Sequence, residues 1–266
     1  MAETESFDDT MEAGSRMLEA SAVFSRGSVR ALELLGSISN VRQTIEKTMP
    51  FGQKALELEN TETVLAILAD SKLSKIFKDP RAMMQGEKYR EFAKDITQKS
   101  IASAASLVSA ASLVFAHAVF DTTLFDYCRV TALWSWRDWL DIVKDRKVSV
   151  AEIDAATKFR TLLNSIDKCL EQLEKESAMK KADMLHRIIK PGNYRSTVRE
   201  YEYSREKLES IDRARHEAVH RLQFREGFAE IDATINYLRR TVVYFMGLVH
   251  FRYGLKIDPN VSTSGD

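Results

Sequence analysis

Helix breakers are scarce in this chain: 266 residues carry four Pro and ten Gly. Proline removes a backbone donor and glycine frees the backbone, so both mark the tight turns of β architecture. A chain with so few of them is predicted to fold as long helices. The apolar residues agree. Leu34, Ile38, Val41 and Ile45 recur at steps of three and four, as do Ile231, Ile235, Leu238, Val242, Phe245 and Val249. No segment sustains the alternation of a strand, and none is read as Rossmann glycines, a Walker loop, or a His-Glu-x-x-His or paired-cysteine zinc signature. A chain of this length buries a core without disulfides or metal. The predicted fold class is all-α: an antiparallel helical bundle with an N-terminal helical extension.

Punctuation divides the chain. Residues 1–12 read as a frayed acidic tail, within an N-terminal extension of residues 1–84. Pro50 and Gly52 are expected to close the first helix, and Asn60 to cap a short helix that Asp79-Pro80 ends. The bundle itself is placed at residues 85–258. It comprises a long helix from about Glu87 to Leu133, one begun by the capping box Ser149-Val-Ala-Glu152, one from about Ser196 to Leu222, and one from about Phe228 to Phe251. Pro191-Gly192-Asn193 is the strongest boundary of the second half, and residues 259–266 read as a disordered tail.

The charge balance is even, with 39 basic and 39 acidic residues, so no whole-molecule field draws the chain to nucleic acid or an anionic membrane. Cys128 and Cys169 lack metal-ligand spacing and read as apolar residues in a reducing compartment. The acidic opening MAETESFDDTMEAG is unlike a signal peptide, and a cytoplasmic location is expected. Ser100–Phe120 carries no Asp, Glu, Lys or Arg and is long enough to span a bilayer. Its Ala/Ser content, with His117 inside and Asp121 at its end, favours a closely packed buried helix or subunit interface. Trp134, Trp136 and Trp139 can stack on a base, but more often such residues fill a core or an interface.

Chemistry concentrates in Ser204–Phe224, where Arg215-His216-Glu217-Ala218-Val219-His220 places two of the five histidines beside a cluster of arginines. On a helix Leu208, Ile211, Arg215, Val219 and Leu222 step by three and four. Arg215 is thus expected in line with an apolar stripe, where it must pair or open onto a cleft. His216 and His220 share a face. Arg215 and His220, five apart, point about 140° away from each other, so they meet on one ligand only if the helix loosens there or a second copy of the chain contributes its own. Histidine titrates near neutrality and serves as general acid or base. Arginine presents a fork to phosphate oxygens and stabilises charge that grows on them. Such a set suits phosphodiester cleavage. In RNA the 2′-hydroxyl is a built-in nucleophile, so no metal or cofactor is called for. From Lys180 to Glu226, Lys and Arg number twelve against eight Asp and Glu, a modest basic footprint for a polyanion.

Arg-His-x-x-x-His on the penultimate helix of an all-α chain, with one more long helix following, resembles the HEPN superfamily. Its motif is Arg, four to six residues, then His, often with a polar residue directly after the arginine. The likeness covers roughly residues 87–253. It implies a four- or five-helix fold that dimerises so that two motifs line one cleft. For active members it implies metal-independent endoribonuclease activity in toxin–antitoxin, phage-defence or RNA-processing settings. Arg215 and His220 would be the catalytic pair and His216 a polar helper. In one subgroup a tyrosine two residues after the histidine is the target of an antitoxin; Leu222 stands there, so that form of control is not supported.

Two readings compete. One is an RNA-cleaving homodimer, with an antitoxin or regulatory protein as a further partner. The other is a non-catalytic dimerisation or protein-interaction module that docks through the Ala/Ser helix and the tryptophan cluster; Arg213, Arg215, Arg221 and Arg225 would then simply pair with Glu209, Asp212, Glu217 and Glu226 on a solvated face. His117, His186 and His250 are expected to be structural.

Overall fold

The computed structural model describes residues 2–70, 87–144, 158–190, 203–221 and 228–258. Among them are seven α-helices and one 3₁₀ turn, with no strand. These are α1 (Ala2–Asp70), α2 (Glu87–Trp134), the turn Trp136–Trp139, α3 (Leu140–Val143), α4 (Lys158–Glu174), α5 (Ala178–Ile189), α6 (Arg205–Arg221) and α7 (Phe228–Tyr253). The all-α expectation is met. The finer expectation of a HEPN-like four- or five-helix core is a separate matter, taken up below as a proposal.

Some boundaries differ from those read in the sequence. Helix α1 is 69 residues long and runs through Pro50, Gly52 and Asn60 instead of closing there. A proline deletes one donor from the ladder and bends the helix, but a long helix with many other bonds absorbs that loss. The acidic start, expected to fray, is helical from Ala2. The helix begun at the Ser149 capping box has its last expected apolar position at Leu173, and α4 ends at Glu174; residues 175–177 separate it from α5. Ser177 caps α5 by accepting a bond from the Lys180 N–H (3.4 Å). Asp79-Pro80, the Ser149 capping box, Pro191-Gly192-Asn193 and the C-terminal tail lie outside the described residues.

The chain forms two compact units. The first comprises residues 1–37, 115–213 and 233–266. Its core takes Phe24 and Leu35 from α1, Phe120, Leu124 and Tyr127 from α2, Ile166 from α4, Leu185 from α5 and Leu208 from α6. Helix α7 adds Ile235, Leu238, Val242, Phe245 and Val249, the run expected from the sequence. Each buried side chain of this kind stabilises the fold by about 1.5–3 kcal/mol. Trp139 is fully buried and donates its indole N–H to Thr131 Oγ1 (3.0 Å), which places it in the core. Lys181 is buried too, and its ammonium reaches Asp121 Oδ2 at 2.7 Å. Where α1 meets α2, Gly27 allows a close approach: a Cβ there would lie 3.1 Å from Asp126 Oδ2. Burial pushes the Asp126 carboxyl up to about 6, against the pull of Arg129, Arg30 and Arg26. Gly254, at φ +70°, closes α7 with its N–H on His250 O (2.7 Å).

The second unit comprises residues 38–114 and 214–232. Arg42 of α1 is completely buried and ion-paired to Asp232 of α7. Ala110 and Leu113 of α2, Ala218 of α6 and Ile231 of α7 are also buried.

Only one side of the Ala/Ser stretch of α2 is covered. Ser109, Ala110, Ser112 and Leu113 are buried, whereas Ala104, Leu107, Ala111 and Phe115 are exposed, Phe115 by 65%. Residues 98–134 contain an 18-residue window with a mean hydropathy of 1.7 and are the one described stretch long and apolar enough to cross a membrane. That is weak evidence, because core helices of soluble proteins meet the same test.

Candidate functional site

Helix α6 carries the residues singled out in the sequence. It begins behind a capping serine: Ser204 Oγ accepts the Lys207 N–H (3.2 Å). The same residue is fastened to α7, since Tyr237 Oη accepts the Ser204 N–H (3.0 Å) and donates to the Ser204 carbonyl (2.9 Å). Leu208 and Ile211 bury the first half of the helix, and Asp212 is bonded to the buried His117.

The buried stripe of α6 does not pass through Arg215. It runs Leu208, Ile211, Ala218, with Ala214 half-buried, and leaves both Arg215 and Val219 exposed. The expected place of Arg215 on the apolar stripe is therefore corrected: the residue is exposed and needs no buried partner. The helix is rotated so that alanines, not Val219 and an arginine, meet the core.

Arg215, His216 and His220 are all exposed. The two imidazoles lie one above the other, with ring centroids 4.3 Å apart and planes inclined by 54°. Among the described residues none of the three forms a hydrogen bond or ion pair. The helix is continuous from Arg205 to Arg221, so nothing in it turns Arg215 toward His220. The structure thus brings together His216 and His220 and leaves Arg215 on another face of the same helix.

The other three histidines are engaged, as expected of structural ones. His117 pairs with Asp212, His186 Nε2 lies 3.0 Å from Tyr244 Oη within a cluster of aromatic rings, and His250 bonds the Leu255 carbonyl. A cavity of about 350 Å³ lies between α4 and α5 in the first unit. It is lined by Cys169, Leu173, Met184 and the paired side chains of Glu176 and Lys180, and by none of the α6 residues.

No protein-family model, curated protein or solved structure matches the chain. The HEPN resemblance therefore rests on the α6 motif and its helical setting.

One residue lies outside the expected set although the sequence holds its signal. His216-Glu217-Ala218-Val219-His220 fits the pattern His-Glu-x-x-His, in which two histidines four apart on a helix hold a metal and the glutamate sits beside them. Glu217 is exposed next to the imidazole pair. The expectation that no His-Glu-x-x-His pattern occurs is therefore corrected: residues 216–220 spell one.

Proposed function

We propose that the chain is a metal-independent endoribonuclease of HEPN type, acting in the cytoplasm as a homodimer in a toxin or phage-defence setting. The observation that carries this reading is the state of the motif: Arg215, His216 and His220 are exposed on one intact helix and unengaged by other described residues. Side chains in that state are available to a substrate.

In this reading His220 takes the proton from the RNA 2′-hydroxyl. The resulting oxygen attacks the adjacent phosphorus, and the bond to the 5′-oxygen breaks. A proton returns to that leaving oxygen, giving a 2′,3′-cyclic phosphate and a 5′-hydroxyl end. Arg215 offsets charge on the phosphoryl oxygens, and His216 holds the phosphate or the leaving oxygen. Because Arg215 and His220 diverge on one helix, the arginine facing a given histidine comes from a second copy. The reading thus requires dimerisation. It is tested by incubating the purified chain with diverse RNAs in EDTA. Cleavage is expected in wild type and lost in Arg215→Ala and His220→Ala, both still folded; intact RNA throughout would refute it.

A second reading, a non-catalytic helical interaction module, is favoured by the uncovered apolar side of α2, where Leu107 and Phe115 face outward. In that case Phe115→Ser weakens self-association and Arg215→Ala changes nothing.

A further inference from the structure

We propose that His216 and His220 form a chelating site for a transition-metal ion that prefers imidazole nitrogen, with Zn²⁺ the ion of choice. The two residues are one helical turn apart, and their rings already lie side by side at 4.3 Å between centroids. The intact α-helix holds the pair in place, so little freedom is lost on binding. Both rings are exposed, and an ion reaches them without any opening of the core. They are also the only two histidines among the described residues not held by a hydrogen bond: His117, His186 and His250 bond Asp212, Tyr244 and the Leu255 carbonyl.

The donor set selects the ion. Two neutral imidazoles suit Zn²⁺, Cu²⁺ or Ni²⁺, whereas Mg²⁺ and Ca²⁺ require oxygen ligands. The neighbouring charges of Arg215 and Glu217 offset each other, so no net positive field from that pair repels a dication. Catalytic zinc centres of the His-Glu-x-x-His type have three protein ligands. Among the described residues no group of three or more His, Cys, Asp or Glu side chains is placed to hold a metal. The site is accordingly a two-imidazole chelate whose other positions are filled by water, and no hydrolytic step is assigned to Glu217.

The inference stands apart from the ribonuclease reading, because metal binding needs no RNA. The two intersect at His220: an imidazole that ligates zinc has no lone pair for the 2′-hydroxyl, so Zn²⁺ bound here would block cleavage.

The test is isothermal titration of the full-length wild-type chain with ZnCl₂, alongside His216→Asn, His220→Asn and Glu217→Gln. Circular dichroism verifies that each remains helical. Wild type is expected to bind a saturable equivalent of Zn²⁺. Either histidine variant should bind at least about tenfold more weakly, since the chelate is broken, and Glu217→Gln should stay within about twofold. With Cu²⁺ the electron paramagnetic resonance spectrum of wild type should carry nitrogen couplings that both histidine variants reduce. A wild type that does not saturate, histidine variants that bind as wild type does, or an equal loss in Glu217→Gln would each overturn the assignment.

Discussion

Asp126→Asn converts the close approach of α1 and α2 into a measurable pH dependence. The Asp126 carboxyl is driven up to about 6 mainly by burial, with Arg129, Arg30 and Arg26 pulling the other way. In the unfolded chain it returns to 3.8. The folded state therefore binds this proton more tightly than the unfolded state. Stability from this group is lowest above about pH 7, rises as the pH falls through about 6, and is complete only below about 4. A shift of roughly two units corresponds to about 3 kcal/mol in full, of which about 2 kcal/mol appears between about pH 8 and pH 4.5. Asparagine keeps the shape and removes the titration. Urea denaturation of wild type and Asp126→Asn across that range isolates the group, because all other titrations are shared. The variant is expected to gain on wild type by about 2 kcal/mol as the pH rises from about 4.5 to 8. A difference between the two that does not vary with pH would refute the reasoning.

Other expectations follow from the same structure. On the proposed ribonuclease reading, Arg215→Ala and His220→Ala should lower RNA cleavage by about a hundredfold or more; on any reading they should move stability by less than about 0.5 kcal/mol, since both side chains are exposed, and nuclease assays and thermal melts check the pair. Gly27→Ala places a Cβ 3.1 Å from Asp126 Oδ2. An overpacking cost of about 2 kcal/mol against a helix-propensity gain of about 1 leaves a net loss of about 1 kcal/mol in denaturation. Asp121→Ala strands the buried Lys181 ammonium and should cost about 3 kcal/mol. Adding Lys181→Met to that variant should recover most of the loss, which a double-mutant cycle in urea would read.

How far the fold was legible depended on residue type. Helix α7 is legible because Ile, Leu, Val and Phe mark its buried face without ambiguity. Pro50 misled because local propensity is a weak prior, and a ladder as long as α1 tolerates one missing donor. In α6 the buried face is made partly of alanines. Ala214 and Ala218 add little to an apolar pattern, so Val219 and Arg215 were placed on a stripe that in fact lies beside them. The histidines were easier to sort. His117 sits in the charge-free stretch Ser100–Phe120 of α2 and would be costly to bury without a partner, which Asp212 supplies. The bearing of Arg215 and His220 on each other was limited by helical geometry itself, since five residues along one helix never place two side chains on the same face.

The Tyr237 hydroxyl, which grips both the N–H and the carbonyl of Ser204, makes the entry to α6 a latch with a single bolt. Lys207 over the same ring, 4.5 Å from its centroid, adds a cationic clasp. Local opening of a helix end is governed by the weakest fastening there, and exchange of its amide protons with solvent deuterium reports that opening. In Tyr237→Phe the Ser204 amide would exchange orders of magnitude faster, with the first turn of α6 following it, while the amides around Leu238 and Val242 keep their protection. The phenol would then be a timing element: it sets how often this helix start comes undone while the core around it stays shut.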